Sequence, residues 1–121
     1  MSETMTFNKA VFLVLDAELG PEDTAEVLNA FLADTRQKIA AIAAAITDRS
    51  FVKRETHSIK SSAATFGFER LSKIAREIEA CAEFVEPDFL AGCIGRLQGA
   101  FNQVSALEEA GLLTGDEGRP A

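Results

Sequence analysis

The chain contains one histidine, His57, and its neighbours are residues that could support chemistry on an imidazole ring. Lys53 and Arg54 precede it by four and three residues, and Lys60 and Ser61 follow it by three and four. On a helix each of these spacings is about one turn, so the four side chains would surround His57 on one face. In a chain with 19 acidic and 12 basic residues, three cations around the only histidine form a candidate reactive site.

An imidazole among cations is suited to carrying a phosphoryl group. The neutral ring is a nucleophile near neutral pH, and a phosphoryl group on one of its nitrogens brings a charge approaching about −2. Nearby ammonium and guanidinium groups would stabilise that charge, because phosphoryl transfer depends on positioning and electrostatics. The alternative, from spacing alone, is that His57 is an ordinary surface histidine in a solvated, charged helix face.

The elements that would hold this site are helices. Apolar residues recur in steps of three and four through one short and four long segments, which is typical of amphipathic helices. Pro21 opens the first long segment, and Asp48 is a candidate N-cap for the second. Gly67 closes that second helix, and Pro87 separates the third from the fourth. The predicted helices cover about Asn8 to Leu19, Pro21 to Ile46, Asp48 to Phe66, Leu71 to Val85 and Pro87 to Leu107.

The short connections between these segments predict the fold. Consecutive helices must run antiparallel, so we expect an all-α protein, an antiparallel up-down four-helix bundle with a short additional N-terminal helix. The apolar stripe of the second long helix centres near the direction of Val52, and His57 lies roughly 140° from it, facing water. We expect one domain over residues 1–110. The glycine-containing tail over 111–121 has little to bury and is expected to be flexible.

Length and composition limit the possible functions. With 121 residues, 47% of them hydrophobic, the chain is sized for one domain that folds without disulfides or metal. A net charge of −7 argues against nucleic acid or an anionic membrane as the main partner. Cys81 and Cys93 with one histidine are too few for a four-ligand zinc site, and both fall in apolar stripes where we expect them to pack. Because there is no signal-peptide pattern and no long apolar run, we expect a cytoplasmic protein.

The residues that follow His57 resemble the signature of a known family. The run from His57 to Phe68, with Leu71 and Glu79 beyond it, is similar to the motif of histidine-containing phosphotransfer domains, the phosphoryl carriers of two-component phosphorelays. The stretch Thr65-Phe66-Gly67-Phe68 is especially similar to the phosphotransfer domain that begins chemotaxis histidine kinases. The resemblance covers about residues 20–104. The positions that fit the family pattern are His57, Ile59, Lys60, Ser62, Gly67 and Leu71.

The resemblance implies a role for each residue of the site. His57 would be phosphorylated, and Lys60 would hold the phosphoryl oxygens. Glu79 would orient the imidazole by accepting a hydrogen bond from its second ring nitrogen. The alternative for Glu79 is a surface ion pair with Arg76.

The resemblance also implies a docking surface for a receiver domain around His57. The residues that we assign to it are Lys53, Arg54, Ser61, Ala64 and Gly67. Lys53 and Arg54 lie outside the strict family pattern, and a solvated helix face is the simpler interpretation for at least one of them. Ser61 stands where the family usually has glycine, which affects the fit to a partner rather than the chemistry. For Gly67 the alternative is a role as the helix C-terminus alone, which is compatible with the family pattern.

The predicted function is that of a stand-alone phosphorelay intermediate. The sequence has no Gly-rich phosphate loop, Walker pattern or kinase nucleotide box, so ATP is not expected as the direct donor and the chain is a carrier rather than an enzyme. The resemblance implies receiver domains as donor and acceptor, with a hybrid histidine kinase upstream. No cofactor is expected on this chain, the Mg²⁺ would be held by the receiver's carboxylates, and we expect a monomer. The alternative is a non-catalytic helical adaptor that binds and regulates a receiver or histidine kinase.

Overall fold

A computed structural model describes residues 4–113, and within that range the chain forms five helices and no β-strand. In chain order the helices are α1 (Lys9–Leu19), α2 (Pro21–Ala44), α3 (Arg49–Phe66), α4 (Glu69–Cys81) and α5 (Pro87–Glu109). α3 packs against α2 and α4, and α5 packs against α4 and α2, so the four long helices close a bundle, while α1 lies against α2 and α3. This confirms the predicted four-helix bundle with an additional N-terminal helix.

The ends of α3 form as the sequence predicted. The Asp48 side chain accepts a hydrogen bond from the N–H of Phe51, which caps the start of the helix. Gly67 ends it in the left-handed conformation, with φ of +85°. The two caps fix where α3 begins and ends. Its buried stripe fixes the rotation of the helix about its axis and therefore the direction of His57.

Helix α4 is shorter than predicted. The apolar spacing predicted a helix as far as Val85, but α4 ends at Cys81. The Arg49 guanidinium donates to the carbonyls of Ala82 and Val85, at 2.6 and 2.9 Å, and so holds residues 82–86 as a turn. Val85 still packs against the core, which explains why its spacing matched that of the helix.

One end of the bundle is filled by aromatic rings. Neighbouring ring centroids lie 4.9–5.8 Å apart in a cluster made by Phe7, Phe12, Phe31, Phe66 and Phe68. The segment that precedes α1 is tied to the α3–α4 turn beside this cluster, because the Asn8 N–H donates to the Gly67 carbonyl at 2.7 Å and the Arg70 N–H donates to the Met5 carbonyl at 3.0 Å. α1 therefore covers the end of the bundle at which α3 finishes.

The tail predicted from Gly111 onwards needs correction for its first three residues. Leu113 is fully buried, and the Leu112 N–H donates to the Leu107 carbonyl at 3.0 Å. Residues 111–113 belong to the packed part of the chain because one leucine of the segment finds a place in the core. The rest of the predicted tail, residues 114–121, lies outside the described residues.

Candidate functional site

His57 lies on the water-facing side of α3. The buried face of this helix is formed by Val52, Thr56, Ile59, Ala63 and Phe66. The His57 side chain is on the other side and is 60% exposed. The predicted direction of this side chain is confirmed, and the ring is open to a partner molecule.

Glu79 on α4 bridges His57 and Lys60. Its Oε2 atom lies 2.6 Å from His57 Nδ1, and its Oε1 atom lies 2.8 Å from Lys60 Nζ. The carboxylate is half-buried between the helices, so both of its oxygens are used by these two partners. The alternative of an ion pair with Arg76 is not formed.

The contact with Glu79 determines which imidazole nitrogen is free. An ionised carboxylate only accepts hydrogen bonds, so Nδ1 of His57 must carry the proton and donate it to Glu79. The hydrogen bond from the Lys60 ammonium, together with the one from His57, lowers the pKa of Glu79, although partial burial acts in the opposite direction. Glu79 is therefore ionised at neutral pH. In a neutral ring that donates from Nδ1 to this carboxylate, the lone pair is on Nε2.

The relative position of α3 and α4 at the site is fixed by a residue that sequence reasoning missed. The Ser72 hydroxyl on α4 donates to the Lys60 carbonyl on α3 at 2.8 Å. Ile78, directly before Glu79, is buried and fixes the rotation of α4. No sequence pattern distinguishes Ser72 from the other serines of the chain, because its role depends on the contact between two helices.

Two of the three cations predicted to surround His57 contact other residues instead. Lys53 Nζ lies 3.2 Å from Glu83 Oε1 in the α4–α5 turn, and the Arg54 guanidinium lies over the Phe51 ring, 5.8 Å from its centroid. Among the described residues, Lys60 is the one member of this group that shares a partner with His57. The expectation that Lys53 and Arg54 serve His57 directly is not supported by these contacts.

Of the other residues predicted to contact a receiver, Ser61 and Ala64 are exposed and Gly67 is not. Ala64 lines an open groove between α3 and α4, together with Thr4, Glu69, Ser72, Lys73 and Arg76. Gly67 is covered by the segment before α1, so that a Cβ atom at this position would lie 2.5 Å from the Asn8 carbonyl oxygen. Gly67 is therefore a packing residue, and its assignment to the docking surface is wrong.

Both cysteines are free thiols, and neither is among the residues that line the groove. Cys93 on α5 is buried, and that burial raises the pKa of its thiol, with the neighbouring Cys81 acting in the same direction. Over residues 4–113, no three His, Cys, Asp or Glu side chains come together as ligands for a metal ion. In the same range, none of the helices has the length and apolar character needed to cross a bilayer.

Comparison with known families gives one match. The family model described as Hpt domain matches residues 26–109, a range that includes the site residues on α3 and α4. No match was found among curated proteins or among solved structures.

Proposed function

The chain belongs to the Hpt domain family, and we propose that it is a stand-alone phosphorelay intermediate that carries a phosphoryl group on Nε2 of His57. Hpt domains are phosphocarrier modules, not catalytic domains, and interact with receiver domains and kinases in phosphorelays. The proposal adds that this chain takes its phosphoryl group from the aspartyl phosphate of one receiver and passes it to a second receiver. It acts as a monomer in the cytoplasm, downstream of a hybrid histidine kinase.

The observation that carries the proposal is the 2.6 Å contact between His57 Nδ1 and Glu79. With the proton on Nδ1, the Nε2 lone pair can attack phosphorus. The N–P bond forms as the bond between phosphorus and the aspartyl oxygen breaks, and the carboxylate leaves with the electron pair. No proton has to be removed from Nε2, and the positive charge that the ring gains is balanced by Glu79. Transfer to the second receiver is the reverse of this step.

Lys60 supplies the charge that the phosphorylated ring needs. A phosphoryl group on Nε2 adds a charge approaching about −2 to a site whose carboxylate is already ionised. Lys60 lies one turn from His57 and contacts the same carboxylate, so its ammonium can turn from Glu79 to the phosphoryl oxygens. The Mg²⁺ of the reaction is held by the receiver's carboxylates, and none is assigned to this chain.

The experiment is transfer of labelled phosphate from a panel of phosphorylated receiver domains to the full chain. We expect an acid-labile label on the parent protein, no label on His57→Gln, and no label on either when ATP replaces the receivers. His57→Gln should keep its helical content, because the side chain is exposed. Label on His57→Gln would contradict the assignment of the phosphorylated residue. Binding of receivers without transfer would favour the adaptor function instead.

A further inference from the structure

The basic residues of this acidic chain are concentrated on the two helices that form the site. α3 and α4 contain seven of the 12 basic residues but four of the 19 acidic ones. These helices therefore have a net charge of +3, and the rest of the chain has a net charge of −10. The excess positive charge thus belongs to the same two helices that carry His57 and Glu79.

The two cations that line the groove between α3 and α4, Lys73 and Arg76, have no side-chain partner within residues 4–113. Lys53 and Lys60 are neutralised by Glu83 and Glu79, respectively. Lys73 and Arg76, by contrast, are exposed and form no hydrogen bond or ion pair with any described residue. Their charges are available to a molecule that binds the groove.

Lys73 and Arg76 continue the site along α4. Arg76 precedes Glu79 by three residues, and Lys73 precedes Arg76 by three, so the three side chains follow one another along the outer part of the helix. Both cations line the α3–α4 groove opposite Ala64. The carboxylate in that groove, Glu69, accepts a hydrogen bond from the Asn8 amide at 2.6 Å. Because both cations share this groove with Ala64, a partner that covers His57 and Ala64 would meet both of them.

We infer that Lys73 and Arg76 form an electrostatic docking strip for the acidic surface that surrounds the aspartyl phosphate of the donor receiver. The inference rests on the proposed function, which makes a phosphorylated carboxylate the group that must approach His57. A chain with a net charge of −7 repels such a partner at long range, whereas an exposed positive strip beside the reactive nitrogen attracts and orients it. The docking surface thus includes α4 as well as α3.

The test compares two charge-reversal variants of equal net charge in the full chain. Lys73→Glu/Arg76→Glu reverses the strip, and Arg70→Glu/Arg96→Glu reverses two exposed cations outside the groove. The receiver is the best donor or binder from the panel, and both the second-order rate constant of transfer and the binding affinity are measured. At low ionic strength we expect the strip variant to lose about 10- to 100-fold in both, and the control to lose less than about threefold. At saturating receiver the transfer rate should stay unchanged, and the difference should vanish near 1 M salt.

The outcomes separate this inference from the proposed function. Binding of the receiver to the parent without transfer contradicts the proposed function, while weaker binding by the strip variant alone still supports the docking strip. Equal losses in the two variants overturn the inference even if His57 is phosphorylated. A loss at saturating receiver would assign Lys73 or Arg76 to the chemical step, and failure of every receiver to bind the parent would also overturn the docking strip.

Discussion

The two ends of the family motif on α3 lie in opposite environments. At His57 the helix is open to water, and His57 and Lys60 both contact the Glu79 carboxylate on α4. Ten residues further along, Gly67 is buried beneath the segment before α1, close to the Asn8 backbone and the Val11 side chain. A single motif therefore combines residues selected by chemistry with a residue selected by packing, and substitutions at the two ends should affect different measurements.

Ser61→Phe is expected to have the largest effect on the open side. Ser61 is exposed one turn beyond His57, so a phenyl ring there would hold a receiver away from the imidazole. A misplacement of about 1 Å can cost about 100-fold in rate, so we expect transfer to fall at least that far. The thermal midpoint should stay near that of the parent.

Ser61→Gly is the matched control, because it keeps a small residue at this position. It should preserve transfer at a cost of about 0.5 kcal/mol in the free energy of unfolding, from helix propensity. Transfer by Ser61→Phe at the parent rate would show that the receiver docks elsewhere on the bundle.

Gly67→Ala should show the opposite behaviour. An alanine at φ of +85° costs about 1–2 kcal/mol, and its Cβ would lie 2.5 Å from the Asn8 carbonyl oxygen, which forces a backbone shift. With the Asn8 hydrogen bond weakened as well, we expect the free energy of unfolding to fall by about 2–4 kcal/mol, measured by urea denaturation.

The control for Gly67→Ala is Gly99→Ala on α5, where a Cβ meets nothing within 4 Å. That substitution should stabilise the protein by about 0.5–1 kcal/mol. The folded fraction of Gly67→Ala should transfer phosphate at nearly the parent rate. A stable Gly67→Ala with impaired transfer would return Gly67 to the docking surface.

Lys60→Ala tests whether the two lysines on the exposed side of α3, Lys53 and Lys60, differ in their effect on transfer. A charge-assisted contact with a phosphoryl group is worth about 1–3 kcal/mol, so transfer should slow about 5- to 150-fold. The pair of Lys60 with Glu79 is half-buried but still reached by solvent, so it contributes about 1 kcal/mol or less to stability. Lys53→Ala, which removes a lysine paired with Glu83 instead, should change transfer by less than about twofold. Equal rates for the two variants would assign Lys60 to the solvated helix face.

The sequence predicts the features of this site that depend on local spacing. Helical periodicity placed His57 on the outer face of α3, and the caps at Asp48 and Gly67 located the ends of that helix. Contacts between residues distant in sequence do not follow from this spacing, and the contact of His57 with Glu79 was implied only by the family resemblance. Lys53 pairs with Glu83 because the α4–α5 turn brings that carboxylate close, and Gly67 is buried because Asn8 packs on it. Each of these contacts requires the positions of two elements, which a single helical pattern does not contain.

Glu79→Gln is expected to have the smallest effect on transfer. The glutamine amide can either accept from Nδ1–H or donate to an unprotonated Nδ1, so the variant no longer selects one tautomer of the ring. Replacing a charge-assisted hydrogen bond with a neutral one costs about 0.5–1.5 kcal/mol, which predicts a decrease of about 2- to 10-fold in the transfer rate. Since His57 is the only histidine, its ¹⁵N chemical shifts report the tautomer directly, and they should move from the Nδ1–H form toward a mixture. Unchanged shifts in the variant would mean that Glu79 does not orient the ring.

The difference in the free energy of unfolding between the parent and Glu79→Gln should depend on pH. Lys60 and His57 lower the pKa of Glu79 in the folded protein, so the ionised carboxylate stabilises the fold above the pKa of an unfolded glutamate, whose ordinary value is 4.5. That contribution is lost as the pH falls through the lowered pKa of the folded state. The parent should therefore be more stable than Glu79→Gln at pH 6, and the difference should shrink as acid is added below pH 4.5, as followed by urea denaturation at each pH. Solvent reaches Glu79 and screens its ion pairs, so the stability difference should be small. The ¹⁵N shifts of His57 should respond more clearly. A stability difference that grows as the pH falls below 4.5 would contradict an ionised Glu79 and, with it, the assignment of the Nε2 lone pair as the nucleophile.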